Sequence, residues 1–301
     1  MIHTTPKAVT LFSSKDTGAP KLTASAGSLK TLLKACLVSG YGDKQALGWE
    51  MPFEQGHVAV FRSKSPESNR HFLRVDNAAA KFVICEGYLN MTAASTGTGK
   101  FAYNNNYDRF GYCEYDRNEQ PNWWLIGHDK AFVFLCAKRS LNDTSILFFG
   151  DIPSIVPQDT GNTVLFSNSS SSEYLSVRSL GFMNSSSSDE CLLAKTWTGA
   201  EQTARGTFNS LAHHSGAGAA YPDKISGGLT VAEMWMYEKG NGGNDYNLRC
   251  LQPALFKCQN NLKDLQDGTP MRLDGTDDVF LKFCLYGDAQ HYLINASHWE
   301  A

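Results

Sequence analysis

Between Ser28 and Gly40 the apolar residues Leu29, Leu32, Leu33, Cys36 and Leu37 fall at i, i+3, i+4, i+7 and i+8. That spacing puts all five on one side of a helix with 3.6 residues per turn. Ser28 carries the hydroxyl of a helix cap, and Gly40 can take the left-handed conformation that ends a helix. Thr31 and Lys34 point away from the apolar side, with Lys30 at its edge. The pattern predicts one short helix over about residues 28–39.

Elsewhere the pattern shortens to strand-like runs. Ala46 to Phe53, His57 to Arg62, His71 to Asp76 and Lys81 to Tyr88 follow the helix, several of them separated by Asn-, Ser-, Pro- and Gly-containing turns. Trp123 to Ile126 and Ala131 to Cys136 flank Gly127-His128-Asp129-Lys130, a hairpin pattern. Ser145 to Phe149 follows. These three aromatic runs predict the middle of a sheet and the densest core. Short runs return at Thr230 to Tyr237, Leu251 to Lys257, Val279 to Tyr286 and Tyr292 to Ile294. The chain reads as mainly β, an antiparallel sandwich or mixed barrel with one short N-terminal helix.

Polar stretches divide these runs. Met91 to Gln120 reads as a long excursion, and two serine tracts, Asn168 to Glu173 and Asn184 to Glu190, bracket Tyr174 to Met183. The texture changes near residue 165. We therefore expect a β-rich domain with the helix over 1–165, and a second β-rich half with Ser/Gly-rich loops over 166–301, packed on the first.

Net charge is −3 and charged residues are 19% of the chain, with no basic stripe, which argues against nucleic acid as the main partner. No run reaches the length of a membrane span, and the N-terminal residues show no apolar signal core. The eight cysteines are Cys36, Cys85, Cys113, Cys136, Cys191, Cys250, Cys258 and Cys284. None forms a C-x-x-C pair and most lie in apolar runs, the pattern of reduced core thiols.

Candidate chemistry is sparse. Gly97-Thr98-Gly99-Lys100 lacks the first glycine and the Ser/Thr of a phosphate loop, because Ala94 and Phe101 stand there. His213-His214 lacks a partner at metal-ligand spacing. Asp274, Asp277 and Asp278 cluster in a loop; they offer calcium ligands or ordinary turn chemistry, without EF-hand spacing. His128 and Asp129 sit at the hairpin tip, exposed for catalysis or simply turn-forming. Glu114, Asp116 and Glu119 would form a glycosidase pair only at the right separation. Tyr103, Tyr107, Phe110, Tyr112 and Tyr115, with Asn104 to Asn106, Asp108 and Arg109, suit protein contact, sugar stacking, or a loop pinned by its own aromatics. No nucleophile, general base, metal ligand or cofactor-binding residue is assigned.

One ordered set of short motifs carries more. Phe12-Ser-Ser, Thr17-Gly-Ala-Pro20, Ala35-Cys-Leu-Val-Ser-Gly-Tyr-Gly42, Gly48-Trp49, Pro52-Phe53, Val60-Phe-Arg-Ser63 and Phe72-Leu-Arg-Val-Asp76 come first. Gly97-Thr-Gly99, Trp123/Trp124-Leu-Ile-Gly127 and Phe148-Phe-Gly-Asp-Ile152, with Pro153 and Pro157, follow. In this order they resemble an uncharacterised family of virion structural proteins, of similar length, encoded in tailed-bacteriophage and prophage genomes. The resemblance covers about the first 165 residues. It implies a non-enzymatic, cofactor-free component of the tail, baseplate or neck, less plausibly of the head surface. Its partners would be other virion proteins and further copies of itself, not nucleic acid or membrane, and it would assemble in the bacterial host cytoplasm. The alternative is a module that binds or cleaves host-surface carbohydrate.

Overall fold

The computed structural model describes residues 4–101, 109–112, 120–137, 144–168, 191–201, 205–210, 219–240, 246–285 and 291–301. The strands are β1 (Pro6–Ala8), β2 (Thr10–Ser13), β3 (Trp49–Gln55), β4 (Val58–Ser63), β5 (Phe72–Asp76), β6 (Phe82–Ala93), β7 (Thr96–Lys100), β8 (Arg109–Gly111), β9 (Trp123–Gly127) and β10 (Ala131–Ala137). They continue with β11 (Thr144–Asp151), β12 (Thr163–Asn168), β13 (Cys191–Leu193), β14 (Arg205–Ser210), β15 (Val231–Lys239), β16 (Tyr246–Cys258), β17 (Thr269–Arg272), β18 (Val279–Cys284), β19 (His291–Asn295) and β20 (His298–Glu300). The protein is mainly β, and every strand pairing among the described residues is antiparallel.

Twelve strands form one sheet in the order β17-β18-β19-β16-β15-β14-β13-β12-β11-β10-β9-β2, and six form a second, β3-β4-β5-β6-β7 with β8 also on β6. The expected boundary at residue 165 lies within β12, and the larger sheet runs through both halves of the chain. The 91–120 stretch is not a single excursion. β6 extends to Ala93 and turns into β7, and β8 pairs on the other part of β6.

The one α-helix among the described residues, α1 (Ser28–Lys34), widens into a π turn over Ala35–Ser39. Leu29, Leu32, Leu33, Cys36 and Leu37 are fully buried, as their spacing requires. The start differs from expectation. Gly27, not Ser28, is the N-cap, and the Ser28 hydroxyl accepts from the Thr23 N–H instead (2.8 Å). The side chain that serves the open helix end comes from Asn77, whose Oδ1 accepts the Lys30 N–H (3.2 Å). Gly40 ends the helix at φ +74, where an added Cβ would strike the Lys44 carbonyl.

Alternation along β10 and β11 explains why both strands are buried on both faces. Phe132 and Phe134 point to the smaller sheet, where they meet Trp49 and Phe110 edge to face. Phe149 joins them, tilted on Trp49 and stacked on Phe101. Phe148 points the other way and packs on Phe166 and Trp299. β9 to β11 hold a dense core as predicted, but they lie near the β2 end of the sheet rather than in its middle. The larger sheet is curled. Trp124 on β9 meets Phe283 on β18, and the Thr144 hydroxyl donates to Asp267 just ahead of β17. The seven described cysteines are all buried.

Candidate functional site

The loop from Ile152 to Asn162 joins β11 to β12 and organises a buried polar cluster. Asp159 turns the loop back on itself by accepting from the Ser154 hydroxyl (2.6 Å) and the Gly161 N–H (2.8 Å). The same carboxylate takes a two-pronged contact from Arg249 on β16, Nε to Oδ2 at 2.9 Å and Nη2 to Oδ1 at 2.7 Å. Arg249 Nη1 donates to Glu238 on β15 and to the Lys195 carbonyl, both at 2.7 Å. Glu238 also accepts the Trp197 N–H (3.0 Å). Arg249 is 1% exposed, so these contacts replace its water. Burial would raise the Asp159 carboxyl, but the Arg249 hydrogen bonds outweigh it and hold it below the usual carboxylate range. For Glu238 burial wins, and the carboxyl lies above its ordinary value.

The two ends of this loop hold a second chain of bonds. Thr163 Oγ1 donates to Asp151, and His71 Nδ1 lies 2.8 Å from the same hydroxyl. Because the threonine has one proton to give, His71 carries its own proton on Nδ1 while Asp151 is ionised. Asp151 also accepts from the Ser68 hydroxyl (2.8 Å) and the Asn69 N–H (2.7 Å). Burial, with the nearby Lys195 charge, pushes His71 down to about 4. Burial raises Asp151 against the hydrogen bonds that favour its charge. His71 belongs to the smaller sheet's chain and Asp151 and Thr163 to the larger, so this cluster rivets the two sheets.

Neither cluster was singled out in the sequence. Arg249 and Asp159 are 90 residues apart. The signal that was present is a lone arginine at the head of the apolar run Cys250 to Phe256. An arginine in such a run needs a buried carboxylate partner.

The residues that were singled out are distributed differently. Gly97 to Lys100 lie in β7, extended against β6, and Lys100 pairs with Glu86 (2.5 Å); there is no phosphate cradle. His128 is not displayed at the hairpin tip. It is buried edge-on to Trp299, accepts the Lys130 N–H (3.0 Å), and is pushed by burial down to about 4. Asp129 pairs with Lys7. Asp278 is occupied by Asn295 Nδ2 (2.7 Å) and His298 Nδ1 (2.8 Å), while Asp274 and Asp277 are exposed. Among the described residues no group of three or more His, Cys, Asp or Glu is placed to hold a metal ion. Phe110 and Tyr112 are core residues, the Tyr112 hydroxyl donating to the Ser25 carbonyl (3.2 Å) and accepting from Asn77. Tyr103, Tyr107, Tyr115, Glu114, Asp116, Glu119, Cys113, His213, His214 and both serine tracts, apart from Asn168 at the end of β12, lie outside the described residues.

Two surface features remain. A cleft of about 350 Å³ opens between the 14–22 segment and residues 120–123. Leu22, Pro121 and Trp123 form its buried floor, and Asp16, Lys21, Gln120 and Asn122 stand on its rim. Trp197 is 58% exposed beside the Glu238 carboxylate that fixes its backbone. No family model matches this chain, and no characterised protein matches it in sequence. Among the described residues no helix is long and apolar enough to cross a membrane.

Proposed function

We propose that this chain is a structural component of a tailed-phage virion, in the tail, baseplate or neck, and that it works through protein–protein contacts without catalysis. The motif order in the first 165 residues is the resemblance behind this reading. The structural observations that support it are two buried clusters: Arg249, Asp159 and Glu238 pair their charges within the larger sheet, and His71, Thr163 and Asp151 tie the smaller sheet to it. Such a frame holds its surface loops in place under load, which suits a part that transmits force between neighbours. Mass spectrometry of purified particles from an induced lysogen tests the reading. The protein should be present in fixed ratio to known particle proteins; its absence from intact particles would overturn the proposal.

A second reading, a module for host-surface carbohydrate, is favoured by Trp197. Its ring is open to solvent and its backbone is pinned, as a sugar-stacking platform requires. Binding to host polysaccharide that Trp197→Ala abolishes would establish it. Release of oligosaccharides by the purified protein would make the chain an enzyme and defeat the first reading.

A further inference from the structure

We propose that the cleft between the 14–22 segment and residues 120–123 binds a short, neutral saccharide through hydrogen bonds. The inference deepens the carbohydrate reading above, on residues other than Trp197. Three strands of the larger sheet separate β9, which begins at the cleft, from β13, which leads into the Trp197 turn.

The walls of the cleft are set before any ligand arrives. The Ser14 N–H donates to the Trp123 carbonyl (3.0 Å), and the Trp123 N–H donates back to the Ser14 hydroxyl (3.3 Å). That hydroxyl donates in turn to Asn122 Oδ1 (3.3 Å), and Trp123 Nε1 donates to the Pro20 carbonyl (3.1 Å). These bonds lace one wall to the other, and a preformed site loses little entropy on binding.

What the cleft offers a ligand is polar. Leu22 and Trp123 are each 1% exposed, whereas Lys21, Gln120 and Asn122 are exposed and Asp16 is half-buried. Among the described residues no bond occupies the Lys21 ammonium, the Gln120 amide or Asn122 Nδ2. Asp16 Oδ2 accepts from the Ser13 N–H and the Tyr41 hydroxyl, both at 2.8 Å, and Oδ1 accepts from the Ser13 hydroxyl (3.2 Å). Oδ1 keeps room for one more donor.

This mixture of donors and acceptors selects its ligand. An apolar molecule would strip water from the polar groups and find no open apolar wall. Phosphate or sulfate would face the Asp16 carboxylate, and a cation would face Lys21. An amino acid brings an ammonium with three protons to a carboxylate that has one acceptor site left. A hydroxyl both donates and accepts, so neighbouring hydroxyls on a sugar ring satisfy amide N–H, amide oxygen, ammonium and carboxylate together. The volume of about 350 Å³ is at the lower end for ligand pockets, which suits the end of a glycan rather than a long stretch of it. No exposed ring stands in the cleft to stack on the sugar, so the affinity is low.

Two-dimensional NMR of the nitrogen-labelled full chain tests this, with each probe titrated well into the millimolar range. The probes are the methyl glycosides of glucose, galactose, mannose, rhamnose and N-acetylglucosamine, with inorganic phosphate and glycine as rivals. At least one glycoside should shift the Gln120 and Asn122 side-chain amide signals saturably, and the rivals should bind more weakly. Gln120→Ala and Asn122→Ala should each weaken that binding at least about fivefold while melting like wild type. The exposed Gln120 side chain holds no bond in the fold, so a loss in Gln120→Ala reports on the ligand. Trp197→Ala should leave the binding unchanged. Failure of every glycoside to bind, tighter binding of phosphate or glycine, or unchanged affinity in either cleft variant would each overturn the proposal. Host polysaccharide held through Trp197 alone defeats this inference and leaves the carbohydrate reading standing. Particle composition, measured separately, decides the virion reading.

Discussion

Trp124 and Phe283 meet edge to face with ring centroids 5.1 Å apart and planes at 76°, although β9 and β18 stand near opposite ends of the twelve-stranded sheet. The sheet therefore curls until its two ends touch through side chains. Lys282, beside Phe283, is fully buried and reaches Asp267 (2.9 Å) and the Leu265 carbonyl (2.8 Å). Asp267 in turn accepts from Thr144 on β11. The turn at Asp267-Gly268 is the clasp.

Gly268 tests the clasp directly. Its φ is +80, and an added Cβ would overlap the Trp124 ring. Gly275 has nearly the same φ, +84, and nothing within 4 Å of an added Cβ. Gly275→Ala should cost only the backbone strain, about 1 kcal/mol. Gly268→Ala carries the same strain plus the overlap and should cost about 2–4 kcal/mol. Urea unfolding of both variants decides it; equal losses would mean that the clasp does not bear on stability.

The Arg249 cluster makes a second prediction. Arg249→Met leaves two carboxylates buried beside each other and should cost about 3–5 kcal/mol. Asp159 and Glu238 differ in sign. The folded Asp159 carboxyl lies below its ordinary value, so its stabilisation is full above about pH 4 and disappears as pH falls through the folded value. Glu238 lies above its ordinary value, so its ionisation detracts from stability as pH rises through that value. At neutral pH, Asp159→Asn should therefore destabilise clearly more than Glu238→Gln, as read by denaturant midpoints.

Two buried histidines set the acid limit. His71 and His128 are both pushed by burial down to about 4, from an ordinary value near 6.5. In the unfolded chain they take up protons first. Stability is thus full above pH 6.5 and falls as pH drops toward 4, by an amount of order 3 kcal/mol for each. Unfolding free energies across that window should show close to two protons taken up. His128→Asn keeps an acceptor for the Lys130 N–H and should remove one of them.

Asn77 separates the expected helix cap from the actual one. It is fully buried, accepts the Lys30 N–H, and donates to the Ala79 carbonyl and the Tyr112 hydroxyl, both at 3.2 Å. Asn77→Ala should cost about 2–3 kcal/mol, because it strands several buried groups at once. Ser28→Ala removes the bond from Thr23 N and a long, exposed one to the Lys21 carbonyl (3.3 Å), and should cost less than half as much. Thermal melts of the pair discriminate them.

Periodicity alone determined the helix, its buried side and the strands β4, β5, β9 and β10, because a local spacing reports which face of an element meets the core. It also marked most of the cysteines as core residues, since most lie in apolar runs, and the seven described ones are buried. The contacts that cross the chain were decided elsewhere. That Asn77 caps a helix 47 residues away, that Asp159 finds Arg249, that His71 leans on Thr163, and that Trp124 closes on Phe283 all depend on how the sheet curls. Curl is a sum of small twists over twelve strands, and no window of residues encodes that sum.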